Sequence, residues 1–171
     1  MLLAILIIQG LWITLTNIFV SNIYIDKDYK WVGLSKRIRT IIYSKKNVNK
    51  NDISAFEDLA KDNWKNRICV RSSNNIYNQS LVASLISNHG EKKAEKIVKQ
   101  IVNNFARKPS GNDRSQITAV AKNECDIAIV NHYYYAMMLN SKDEEKRKFA
   151  DQVDILFLNQ KDRGAHVNIS G

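Results

Sequence analysis

The six residues Cys125–Val130, CDIAIV, constrain this chain most. A short, largely apolar run just before residues that open a helix has the pattern of a strand covered on both faces. Other runs repeat the theme. Arg39–Tyr43 (RTIIY), Arg67–Arg71 (RICVR) and Asp154–Leu158 (DILFL) are β-branched or apolar and read as strands, with Ala165–Ile169 as one more. Between them the period changes. Glu91–Phe105 is the clearest helix, with Ala94, Ile97, Val98, Ile101, Val102 and Phe105 on one face. Asp52–Lys61 reads as a short helix with Ala55, Leu59 and Ala60 inward, and Gln79–Asn88 as a helix stopped by Gly90. Asp113 is expected to cap a helix running to about Lys122, and Tyr133 to Gln152 is expected to be helical. Strands alternating with helices predict an α/β layered domain with a mostly parallel sheet.

The start of the chain is apolar, MLLAILIIQGLWITLTNIFV, but no basic residue precedes Lys27 and no small-residue cleavage site follows. Polar residues interrupt it before it reaches the length of a membrane span. A buried strand over Leu2–Ile8 is expected, with an anchor as the lesser reading. Cys69 and Cys125 are too few for a disulfide scaffold and have no CxxC spacing. They are either two buried thiols or one disulfide between neighbouring strands.

The net charge is +9, and residues 21–50 hold eight basic residues against two acidic ones, a local +6. Such a balance suits nucleic acid, an anionic surface or an anionic ligand. Here the basic residues flank the Arg39–Tyr43 strand without sharing a helical face, which reads as a solvated strand edge. A basic nucleic-acid-binding domain is therefore the weaker alternative.

Enzyme signatures are missing. The sequence has no GxSxG, P-loop, GxGxxG or HExxH, and His89, His132 and His166 lack metal-ligand spacing. An enzyme is not expected. The informative residues are tyrosines. Tyr133-Tyr134-Tyr135 directly follows the CDIAIV strand and opens a helix, and Tyr77 occupies the corresponding place after the RICVR strand. Parallel strands end on one rim, where ligands bind. Helix N-termini there carry partial positive charge and favour phenolate over phenol. Clustered tyrosines are usually aromatic packing. Clustered phenolates instead require a cation to offset the cost of ionisation, and hard oxygen donors suit a hard cation such as Fe³⁺.

Five stretches resemble one family in order: Trp31–Ser44, Trp64–Ile86 with its IYNQSL motif, Asn104–Val120, Glu124–Leu139 with its NxYYY motif, and Asn159–Gly171. The family is that of the periplasmic ferric-iron-binding proteins of bacterial ABC importers, which are type II periplasmic binding proteins. The resemblance implies a lobe with a mostly parallel sheet and two hinge-crossing strands. Residues 1–44 would be a remnant of the first lobe plus a hinge strand, 45–160 the second lobe, and 161–171 the return hinge strand. It also implies Fe³⁺ as cargo, with a synergistic anion, held by Tyr77, Tyr133 and Tyr134, while Tyr135 packs the helix. An inner-membrane ABC permease as partner, a monomeric state, a periplasmic location and no role for nucleic acid follow from the same resemblance. The chain departs from the family in three respects. His132 and Ala136-Met137 stand where relatives have Thr and Gly-Arg, the Arg helping to balance charge. The upstream His and Tyr ligands and the returning C-terminal helices have no counterpart, so a truncated receptor is expected, with a non-functional remnant as the alternative.

Overall fold

The computed structural model describes residues 20–170, so the strand expected at Leu2–Ile8 lies outside the described residues. The chain divides into two compact units. One runs up to Arg37 and resumes at Val167, and the other is Ile38–His166.

The larger unit is built on four strands in the order β2-β3-β1-β4: β1 (Ser35–Ser44), β2 (Ile68–Val70), β3 (Ile127–Asn131) and β4 (Val153–Leu156). Side chains alternate across this sheet, as a period of two requires. Ile41, Tyr43, Ile68, Val70, Ile127 and Ile129 face one core, and Ile42, Cys69, Ala128 and Val130 face the other. Helices α1 (Ile76–His89) and α2 (Glu91–Asn103) contribute Leu81, Leu85, Ile97 and Ile101 to the first core, together with Trp64. Helices α3 (Asp113–Ala121), α4 (His132–Leu139) and α5 (Glu144–Asp151) close the second through Ile117, Val120, Tyr135, Met138 and Ala150. Every β3 residue is buried, as the CDIAIV run implied.

The α/β lobe is therefore present, but its sheet is mixed. β2 and β3 run parallel, whereas β1 is antiparallel to both β3 and β4. The expected solvated strand edge is overturned for the same reason. β1 is central, and Arg39 within it is completely buried. Other boundaries also moved. Residues 52–61 form separate 3-10 turns, Lys50–Asp52 and Phe56–Ala60, with Phe56 and Leu59 as the buried anchors. The helix expected over 133–152 is two helices, and the Asp143 side chain caps the second by accepting from the Glu145 and Lys146 N–H groups. Asn112, not Asp113, caps α3, accepting from Ser115 N–H at 3.1 Å. Cys69 and Cys125 form a disulfide, with Cα atoms 5.9 Å apart.

In the smaller unit, Ile25 and Val32 form an antiparallel bridge, and Leu34 N–H donates to Ser170 O at 2.8 Å. There, beside β5 (Val167–Ser170), a Cβ on Gly33 would meet the Ile169 side chain at 2.6 Å, so glycine permits this close approach.

Candidate metal centre

Because β2 and β3 are parallel, their C-terminal ends open on one rim of the larger unit. After β2, a short polar turn leads into α1. The Asn75 side chain caps this helix, accepting from Tyr77 N–H at 2.9 Å, and so sets Tyr77 in the first turn. The Asn78 side chain donates back to the Arg71 and Ser72 carbonyls, which pins the turn to its helix.

After β3 there is no turn. Asn131 ends the strand and His132 begins α4, so Tyr133 and Tyr134 fall in its first turn. Asn131 makes no side-chain cap. Its N–H instead donates to the buried carboxylate of Asp113 at 2.9 Å. The same carboxylate receives Arg39 at 2.9 Å and Arg71 at 3.4 Å. Arg39 also donates to the Asn131 and Asn78 side-chain oxygens, so one guanidinium ties together the elements that carry the tyrosines. His132 Nδ1 accepts from Ile38 N–H at 3.1 Å, a satisfied histidine whose ring meets Tyr133 edge-on.

The three candidate tyrosines meet. Tyr133 lies within hydrogen-bonding reach of both Tyr77 and Tyr134, and the Tyr133 and Tyr134 rings are 4.2 Å apart. All three are half-buried. Guanidiniums stand over two of the rings, Arg71 at 5.8 Å from Tyr77 and Arg114 at 5.2 Å from Tyr134. Tyr135 points away into the core and donates to Val153 O at 3.1 Å.

The expectation that helix N-termini favour the phenolate fails at Tyr133. Burial, followed by the hydrogen bonds its O–H donates toward Tyr134 and Tyr77, pushes its phenol above the ordinary value of 10. Asn131 pulls in the opposite direction, toward the anion. Tyr133 thus favours its protonated form, and a bound cation would reverse that preference. Among the described residues no three His, Cys, Asp or Glu side chains gather to hold a metal. The phenol oxygens are hard donors, and hard donors suit hard cations.

Sequence reasoning missed Arg39, Asp113 and Arg114 as parts of this centre.

The model of the family described as bacterial extracellular solute-binding protein matches residues 12–170. The chain is 46 % identical over 144 residues to iron uptake protein A1 of Synechocystis sp., covering 84 % of this chain and 40 % of that protein. Its fold matches a Trichodesmium protein (IdiA, FutA) solved in complex with iron and citrate, with a TM-score of 0.83 at 49 % identity over 86 % of this chain and 46 % of that one. The ferric binding protein of Campylobacter jejuni matches with a TM-score of 0.84 at 37 % identity, over 89 % of this chain and 48 % of that one. The chain thus spans less than half the length of these relatives.

Proposed function

The chain belongs to the bacterial extracellular solute-binding protein family, and from that premise we propose that it binds ferric iron through the phenolate oxygens of Tyr77, Tyr133 and Tyr134. The observation that carries this reading is the convergence of three phenols, from two different strand-to-helix junctions, on Tyr133. Fe³⁺ displaces their protons, so binding and proton release are coupled. Three phenolates leave coordination positions open, and a small anion such as a carboxylate suits them. The related Trichodesmium structure holds iron and citrate together, which supports that choice.

The wider role is uptake, with the loaded protein delivered to an inner-membrane ABC permease from the periplasm. The Cys69–Cys125 disulfide supports an oxidising compartment. The division of the chain into 1–44, 45–160 and 161–171, as first lobe and hinge, second lobe, and return hinge, belongs to the same proposal. A nucleic-acid surface is less well supported. Arg39 is buried, and Arg67 and Arg163 are engaged with Asp126 and Glu57.

The experiment is to add ferric citrate at neutral pH. A visible phenolate-to-iron charge-transfer band is expected in the unsubstituted protein and its loss in Tyr133→Phe/Tyr134→Phe. A band that survives the double substitution rejects the assignment. A circular dichroism melt addresses the remnant alternative, since a cooperative transition is expected of a unit with two packed cores.

A further inference from the structure

Arg39 and Arg71 share the single carboxylate of Asp113, so the charged groups beneath the tyrosines are committed to one another. The neighbouring Arg114 is not. It forms no ion pair among the described residues, and its guanidinium lies 5.2 Å from the centroid of the Tyr134 ring. Its Nη2 donates to Met137 Sδ at 3.8 Å, a weak contact on the same side of the helix as the ring. Tyr134 and Met137 are three residues apart on α4 and share a helix face. A free cation is thus held over one of the three rings by a sulfur from that ring's own helix.

Three phenolates cancel the charge of one ferric ion. Any anion in the remaining coordination positions makes the centre negative, and a cation beside it then offsets the excess. A phenolate spreads its charge into the ring, so a guanidinium over the face attracts it more than it attracts the phenol. The interaction therefore strengthens when iron binds.

We propose that Arg114 is the charge-balancing positioning residue of the tyrosine centre, with Met137 Sδ holding its guanidinium over Tyr134. This rests on the ferric-iron reading above. At 5.2 Å in a solvent-exposed setting, Coulomb's law gives about a fourfold effect on binding.

The test titrates the full chain with ferric citrate in competition with free citrate, comparing the unsubstituted protein with Arg114→Gln, Arg114→Lys and Arg114→Gln/Met137→Arg. Thermal melts confirm that each is folded. Arg114→Gln is expected to bind about fourfold more weakly and to move the charge-transfer band to longer wavelength, because removing the cation raises the energy of the phenolate donor electrons. Arg114→Lys is expected to stay close to the unsubstituted protein. The double variant is expected to regain the original band, because Met137→Arg returns a guanidinium beside the same ring. A normal band and affinity in Arg114→Gln overturn the role of Arg114 and leave the iron reading standing. A weakened Arg114→Gln that neither Lys nor Met137→Arg restores also overturns it, since the defect is then packing. No band in the unsubstituted protein overturns the iron reading and this inference with it.

Discussion

The two strand-to-helix junctions that carry the tyrosines are built in opposite ways. The β2–α1 junction is held largely by its own residues, although Arg39 also donates to the Asn78 side chain. Asn75 caps the helix and Asn78 holds the turn, both partners lying within a few residues. The β3–α4 junction has neither a turn nor a side-chain cap. Its N–H groups and side chains are held by distant residues, Asp113 and Arg39, and its His132 by Ile38. Tyr77 is placed mainly by local sequence, and Tyr133 and Tyr134 mainly by tertiary structure.

The contrast breaks first at Asp113. Removing this fully buried carboxylate strands Arg39 without its partner and leaves Asn131 N–H unsatisfied. Asp113→Ala is expected to cost about 3–5 kcal/mol in urea unfolding. It should also disturb Tyr133 and Tyr134 more than Tyr77, which Tyr-specific fluorescence of single-tyrosine variants of the cluster would read. Next is the disulfide, which ties β2 to the residues before β3 and so couples the two strands that lead to the junctions. It closes a separation of 56 residues, and its loss in Cys69→Ser/Cys125→Ser is expected to cost up to about 4 kcal/mol, read as a lower Tm in the absence of reductant.

Smaller effects sharpen the comparison. Asn75→Ala removes only the local cap and is expected to cost about 1 kcal/mol. If it matches Asp113→Ala in a urea titration, the two junctions are not different in kind. Tyr135→Phe gives up the bond to Val153 O, again about 1 kcal/mol, with the iron band intact. The last effect is of pH. His166 bonds to Ser80 on α1, and burial and then Arg39 hold its pKa below 6.5. Its neutral form is favoured in the folded state. Its contribution is therefore present above pH 6.5 and is lost as pH falls below it. His166→Asn is expected to flatten that part of a stability–pH curve.

Much of this was legible in the sequence because it is local. CDIAIV and RICVR alternate or run apolar within a few residues, and the period of Glu91–Asn103 needs no partner to be read. Tyr77, Tyr133 and Tyr134 were legible from their places after parallel strands and from the IYNQSL and NxYYY motifs. Arg39 was not. Its burial depends on β1 lying between β3 and β4 and on Asp113, 74 residues away. Nor was the phenol's preference at Tyr133, because local helix dipoles favour the anion while the burial that opposes it comes from packing. The break at residues 140–143 was hidden because Asp143, a helix cap, lies in a charged run that reads equally well as a continuing surface.

The missing spacer between Asn131 and His132 also bears on how this centre can change over time. A residue gained or lost in the turn before α1 can be absorbed in the loop, at the expense of one tyrosine's position. A residue gained or lost at the β3–α4 junction would turn the helix by about 100° and shift it by about 1.5 Å. Both adjacent tyrosines would move together. The lineage of such a site can therefore drift in length on one side and only in side-chain identity on the other.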